Sequence, residues 1–207
     1  MDTFSIAFVC TGNRFRSPLA EAFVHRLTLG LPVSTESYGT LRVEETPPLP
    51  EAIKIALWCG ISLSEHRTRY VSNASLQDVD LLLGFEPAHI RQAVVDARAP
   101  RERSFTLGDF VSLLQAHGPA AEEDVVGRAR SLVAAVGQRV ADSTSLKSTA
   151  MPDPFGGPWK VYRQTAVEIR DLTIALAERL FGVVDADGLP PIPTKLGRRR
   201  IRKTLWR

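Results

Sequence analysis

Cys10 and Arg16 stand six residues apart in Cys10-Thr11-Gly12-Asn13-Arg14-Phe15-Arg16-Ser17-Pro18, a C-x-x-x-x-x-R-S run. It follows a short apolar segment and enters a helix-like pattern. A loop of this length between a strand end and a helix N-terminus aims successive backbone N–H groups at one point, and the helix dipole adds positive potential there. A tetrahedral oxyanion fits that point. A thiol at the base of such a cradle has its thiolate stabilised by the same N–H groups, by the dipole and by Arg16, so Cys10 is expected to be a nucleophile at neutral pH. The planar guanidinium of Arg16 can grip two oxygens of a phosphoryl group as a fork, which a lysine ammonium cannot reproduce. Ser17 is placed to donate a hydrogen bond to the sulfur, and Gly12 and Asn13 are residue types that tolerate a left-handed backbone.

Phosphoryl transfer to sulfur needs a proton for the leaving oxygen, and Asp153 in Met151-Pro152-Asp153-Pro154-Phe155-Gly156-Gly157-Pro158 is the candidate donor. The prolines stiffen this loop, Phe155 gives it an apolar wall, and partial burial would suit the carboxyl to general acid work. The plainer alternative is that Asp-Pro merely opens a turn. Cys59 has no arginine partner and ends an apolar helix pattern, so it is expected to be a packed thiol. His25, His89 and His117 show no ligand-like clustering and receive no role, and neither a metal nor a cofactor is expected. Trp159 and Tyr162 fit equally well at a pocket mouth or in the core.

The elements that must position these groups can be read from hydrophobic spacing. Ser5 to Val9 is a continuous apolar run, suited to a strand buried on both faces. Leu19, Ala20, Phe23, Val24 and Leu27 then form one helical stripe, with Ser17-Pro18 as N-cap and first helical residue. Further strands are expected at Val33 to Tyr38, Val79 to Leu83 and Ser104 to Phe105. Helices are expected from Pro50 to Cys59, stopped by Gly60, and from Pro87 to about Val95. This alternation predicts an α/β fold, a three-layer sandwich with a central four-stranded parallel sheet and helices on both faces. The phosphate-binding loop joins strand 1 to helix 1. Beyond residue 115 the pattern is helical, in two stripes from Val125 to Val140 and from Tyr162 to Leu180, separated by the Ser, Thr, Pro and Gly-rich loop 143–158.

The chain has 207 residues, 44% hydrophobic and 24% charged, with 14 Gly and 14 Pro. No apolar run approaches the ~20 residues that a bilayer requires. This composition excludes a membrane-spanning helical, collagenous or globally disordered protein. With two Cys and no signal-peptide pattern at MDTFSIAFVC, cytoplasm is the expected compartment. The formal charge of +3 is unevenly spread. Residues 194–207 contain seven Lys or Arg and no acid, leaving 19 basic against 23 acidic side chains elsewhere, a net of −4. The expected organisation is a catalytic domain at 1–182, with a helical insertion at about 115–150, and a Pro-rich linker with a basic tail at 183–207. The tail suits an anionic partner, a membrane surface or nucleic acid.

The run VCTGNRFRSPLAEAF, the Ser-x-Gly turn SYG at 37–39, EHR at 65–67 and DPFGG at 153–157 resemble the low-molecular-weight protein tyrosine phosphatase family, bacterial type, across roughly residues 4–182. The resemblance implies that Cys10 attacks phosphorus, Arg16 binds the phosphate, and Asp153 protonates the leaving group and then activates water. It implies substrate contacts from Thr11, Gly12, Asn13, Arg14, Phe15, Ser17 and Phe155, and loop support from Ser37 and His66. Phe15 stands where many members carry a second loop cysteine, so the usual protective disulfide cannot form. Arg14 stands where phosphotyrosine enzymes commonly have a bulky apolar residue and the related protein arginine phosphatases a threonine. Its charge repels a phosphoarginine guanidinium and can stack on a phosphotyrosine ring. The expected function is therefore metal-independent hydrolysis of phosphotyrosine in a protein substrate through a phosphocysteine. The alternatives are a protein arginine phosphatase, or a phosphate-binding module without turnover. Arsenate reduction needs relay cysteines, and only Cys59 is available.

Overall fold

The computed structural model describes residues 2–43, 45–117, 124–142, 150–183 and 188–193. Four strands, β1 (Phe4–Cys10), β2 (Val33–Gly39), β3 (Leu81–Gly84) and β4 (Ser104–Thr106), form one sheet in the order β2-β1-β3-β4. Every pairing is parallel. Six helices accompany them: α1 (Arg16–Leu27), α2 (Pro50–Trp58), α3 (Pro87–Asp96), α4 (Leu107–Gln115), α5 (Val125–Asp142) and α6 (Trp159–Phe181).

Alternation along β1 builds the two faces. Phe4, Ile6, Phe8 and Cys10 join a core shared with α1, α2, α4, α5 and α6, whereas Ala7 and Val9 join a smaller core with Ile90 and Ala93 of α3. This is the layered arrangement that consecutive strand and helix patterns require. Because β1 is flanked by β2 on one side and β3 on the other, its C-terminal end is a topological switch point, where ligands of open parallel sheets bind.

Several boundaries differ from the sequence expectation. Asp80 takes the Ser5 backbone N–H (2.9 Å) on its side chain, and β3 begins at Leu81, opposite Ile6, two residues after the expected start at Val79. The helix α4 was not anticipated; Thr106 caps it by accepting the Asp109 N–H. The stripe from Val125 to Val140 forms α5, which packs on α6.

The segment 188–193, expected to be linker, is packed instead. Leu189 is 0% exposed and Ile192 5%, both within the main core. Its carbonyls are held by side chains of the body. Arg26 donates to Gly188 O (3.3 Å), Arg170 to Pro190 O (3.1 Å) as well as Leu189 O, and Arg163 to Pro193 O (2.7 Å). Two large apolar side chains and several bonded carbonyls outweigh the stiffness that LPPIP suggested. The basic run 194–207 lies outside the described residues, as does 143–149 of the Ser- and Thr-rich loop.

Candidate active site

β1 delivers Cys10 to the end of the sheet and α1 begins at Arg16, leaving a tight loop between them. The Asn13 backbone N–H points at Cys10 Sγ (3.2 Å), and the Ser17 hydroxyl lies 3.0 Å from the same sulfur. Asn13 takes the left-handed backbone (φ 50°), whereas Gly12 has no positive φ. Of the two residues expected to permit that turn, only the asparagine uses it. Ser17 is not an N-cap. The helix is entered through Phe15, and the Ser17 hydroxyl is committed to the loop.

The loop is pinned from beneath. Asn13 Nδ2 donates to both Ser17 Oγ and Ser37 Oγ (2.9 Å each), and Asn13 Oδ1 accepts the Arg69 N–H (2.9 Å). Ser37 donates onward to the Glu21 carboxylate, and His66 Nε2 meets the Asn13 carbonyl at 2.9 Å. Burial shifts both outer members toward neutrality, raising the Glu21 pKa and lowering that of His66. The loop carbonyls are also occupied: Thr40 N–H bonds Cys10 O, Leu41 N–H bonds Thr11 O, and Leu49 N–H bonds Arg14 O. Gly39 makes this close approach possible, since a Cβ there would lie 3.0 Å from both Asn13 N and Thr11 O.

Arg16 is 1% exposed and fully committed at its two terminal nitrogens. Nη1 donates to Glu86 Oε1 (2.6 Å) and Met151 O (2.8 Å). Nη2 donates to Thr11 Oγ1 (2.9 Å) and Asp153 Oδ2 (2.5 Å). Asp153 is thus brought to the cradle across 137 residues of sequence. Its second oxygen accepts the Phe155 N–H (3.1 Å), so Asp153 both opens a turn and lies beside Arg16.

Above the sulfur is a cavity of about 210 Å³, lined at its base by Cys10, Thr11, Gly12, Arg16 and Asp153. Leu41, Val43, Leu49 and Phe155 supply an apolar upper wall, with Phe155 70% exposed at the mouth. Arg14 also lines it, with Nε donating to Pro47 O (3.0 Å). Phe15 is buried edge-on against Tyr162 (5.1 Å), its ring directed into the core although the residue borders the cavity. Tyr162 hydroxyl accepts the Gly156 N–H (3.1 Å), fastening the Asp153 loop to α6. Trp159 packs against Trp58 and the Lys54 ammonium rather than at the mouth. Cys59 is a buried thiol facing Pro190 O (3.8 Å), its pKa pushed up to about 11 by burial.

Sequence reasoning missed Glu86, Arg69 and His89, which bond a loop residue or Arg16, and Glu21, which bonds the supporting Ser37. Glu86 and His89 come from a segment without a chemical motif. The available signals for the others were the S-x-G turn that holds Ser37, the loop-to-helix run that contains Glu21, and E-H-R, which ends two residues before Arg69.

Among the described residues no group of three or more His, Cys, Asp or Glu could hold a metal. The arrangement can bind an oxyanion against a thiol, with a carboxyl beside it. Comparison with known proteins agrees. Residues 5–123 match the model of the low molecular weight phosphotyrosine protein phosphatases. The chain is 28% identical over 177 residues to a protein-arginine-phosphatase of Bacillus subtilis, covering 84% of this chain and 95% of that protein. It is 31% identical over 107 residues to the low molecular weight protein-tyrosine-phosphatase Etp of Escherichia coli, covering 52% and 71%. The crystal structure of a low molecular weight protein tyrosine phosphatase from T. tengcongensis superposes with a TM-score of 0.63 at 27% identity, covering 86% of this chain and all of that one. With the family model matched over more than half of its residues and a solved member superposing along its whole length, the chain belongs to the low molecular weight phosphotyrosine protein phosphatase family, a family of hydrolases.

Proposed function

We propose that this protein hydrolyses phosphotyrosine on a protein substrate through a phosphocysteine, without metal or cofactor, in the bacterial cytoplasm. The observation that carries the reading is the convergence of Cys10, Arg16 and Asp153 on one cavity, with the Asn13 N–H directed at the Cys10 sulfur. In the first step the Cys10 thiolate attacks phosphorus while Arg16 holds phosphoryl oxygens and Asp153 gives its proton to the departing phenol oxygen. In the second step Asp153 takes a proton from water, whose oxygen attacks phosphorus; the P–S bond breaks, phosphate is released and the electron pair returns to sulfur as the thiolate. The Asn13 N–H and the Ser17 hydroxyl receive the charge that returns to sulfur.

Arg14 supports tyrosine as the phosphorylated residue. Held at the rim by Pro47 O, it would stand about 6 Å from the group bearing the phosphate, where a second guanidinium is repelled by ~3 kcal/mol at an effective dielectric of 20, less with solvent screening. The apolar wall of Leu41, Val43, Leu49 and Phe155 suits a phenyl ring. Phosphoarginine is the second reading, favoured by the relative that matches over 95% of its length. We place the catalytic unit at residues 1–193, with the cations of 194–207 available to an anionic partner.

Vanadate-sensitive turnover of p-nitrophenyl phosphate, its loss in Cys10→Ser, and phosphate trapped on Cys10 by mass spectrometry test the mechanism. Normal turnover in Cys10→Ser ends it. A matched pair of peptides tests the substrate: the phosphotyrosine peptide is expected to have the higher kcat/KM, with a narrower gap in Arg14→Thr. The reverse preference in the wild type overturns the tyrosine reading.

A further inference from the structure

We propose that His89 is a positioning residue of the phosphate site, acting through Thr11 so that the Thr11 hydroxyl hydrogen is left to meet a phosphoryl oxygen above Cys10. The inference rests on the phosphatase reading of the cavity and adds to it a residue from the far side of the sheet.

The argument is an accounting of donors and lone pairs. His89 is the third residue of α3, and its Nδ1 faces two backbone donors, Glu86 N–H (3.1 Å) and Phe85 N–H (3.3 Å). A nitrogen met by two N–H groups carries no proton of its own, so the neutral ring bears its hydrogen on Nε2. The ring is also held neutral by burial and by the neighbouring Arg16 cation. Nε2 lies 3.0 Å from Thr11 Oγ1 and therefore donates to it. Arg16 Nη2 donates to the same oxygen at 2.9 Å.

A hydroxyl has two lone pairs and one hydrogen. Both lone pairs of Thr11 are taken, one by His89 and one by Arg16, so its hydrogen is confined to the remaining direction. The cavity that Thr11 lines is that of Cys10. A phosphoryl oxygen held there by Arg16 is an acceptor for that hydrogen. Without His89 the hydroxyl could turn its hydrogen away and present a lone pair to an anion instead.

The backbone is built for this placement. Gly84 ends β3, and a Cβ on it would lie 3.2 Å from His89 Cβ and 3.1 Å from Ile90 Cγ1. Glycine lets the first turn of α3 settle against the strand end and reach the loop residue after Cys10. The same turn supplies Glu86, which bonds Arg16 from the other side. One helix start thus sets both Arg16 and Thr11.

Two substitutions separate positioning from helix capping. In His89→Asn the side-chain carbonyl takes the place of Nδ1 and keeps the α3 cap, while the Nε2 donor is lost. In His89→Gln the longer amide can restore a donor toward Thr11. With p-nitrophenyl phosphate, His89→Asn and Thr11→Val are each expected to lower kcat/KM about tenfold, the effect of one lost hydrogen bond at a charged group. The double variant is expected to match Thr11→Val alone within about twofold, and His89→Gln and Thr11→Ser to recover most of the loss. Inorganic phosphate binding by calorimetry should weaken in the same order. Losses that multiply in the double variant, or a His89→Asn protein with unchanged turnover and phosphate affinity, overturn the proposal. Absence of wild-type turnover would instead count against the phosphatase reading, and phosphate affinities of the same variants would still decide the role of His89.

Discussion

Asp153 and a bound phosphate compete for one donor. In the free protein Arg16 Nη2 is bonded to Asp153 Oδ2 at 2.5 Å and to Thr11, while Nη1 is taken by Glu86 and Met151 O. A phosphoryl group gripped by this guanidinium must displace the Asp153 carboxylate, and the release frees that carboxyl to face the leaving oxygen. Asp153→Asn keeps an oxygen for the Phe155 N–H and removes the charge. A hydrogen bond to a charged group contributes about 1.5–3 kcal/mol. Because the Asp153 side chain is 36% exposed, solvent screening places this pair at the lower end. The variant should therefore bind inorganic phosphate or vanadate about tenfold more tightly. If Asp153 is the general acid, as proposed, the same change should also cost roughly 10²- to 10⁴-fold in kcat. The loss should shrink for phenyl phosphates with good leaving groups. Calorimetric titration of phosphate into both proteins, beside kcat for a leaving-group series, reads the two effects separately. Unchanged or weaker phosphate binding in Asp153→Asn would refute the competition, and an equal kcat deficit across the series would refute the acid role.

Peroxide should inactivate the enzyme with incomplete recovery in dithiothreitol, because Phe15 offers Cys10 no neighbouring thiol and Cys59 is buried at Pro190; full recovery with a Cys10–Cys59 disulfide in the peptide map would count against this. Stability should fall as pH drops below about 6.5, since burial holds His89 to about 4 and lowers His66, so that unfolded histidines take up protons more readily than these two do in the fold. Each contributes a slope of up to ~1.4 kcal/mol per pH unit, and the raised Glu21 carboxyl works in the opposite sense, its contribution declining as pH rises. Urea midpoints near neutrality and near pH ~5 should show a smaller drop in His89→Asn, and an equal drop would contradict the assignment. Leu189→Ala should destabilise by about 2–5 kcal/mol, as for a buried leucine. Removal of 194–207 should leave turnover of p-nitrophenyl phosphate unchanged; a stable Leu189→Ala or an inactive truncation would show that the boundary at 193 is misplaced.

The apolar stripes of α1, α5 and α6 were legible because each residue that recurs at helical spacing had one core to meet. The strands β1 and β2 were legible for a similar reason, being continuous or branched runs ended by glycine or asparagine. The loop was legible because a thiol, a left-handed turn and an arginine must be contiguous to surround one anion. Its supports were not. Glu86, Arg69 and His89 reach the loop or Arg16 from distant segments, and Glu21 acts one step removed, through Ser37; nothing local distinguishes them from surface polar residues. His89 looked roleless because its function lies in which of its nitrogens is protonated. The segment 188–193 misled for a related reason: prolines signal stiffness, and only the surrounding arginines and the vacant apolar groove decide whether a stiff segment stands off or packs.

The side chains of the cradle and those of the upper wall of the cavity have different tasks. Residues 10–17 are fixed by bonds to Ser37, to Arg69 and to the backbone N–H groups of Thr40, Leu41 and Leu49, whereas the side chains of Leu41, Val43, Leu49 and Phe155 line the wall. Side-chain substitutions at these four positions, which keep those backbone bonds and Asp153, should therefore change what is offered to the leaving group more than the grip on phosphate. A rim that can vary while the cradle is kept would let a change of phosphorylated side chain come from a few wall positions. The chain is similar both to a relative named protein-arginine-phosphatase and to one named protein-tyrosine-phosphatase, the pair of specificities that such a rim would separate.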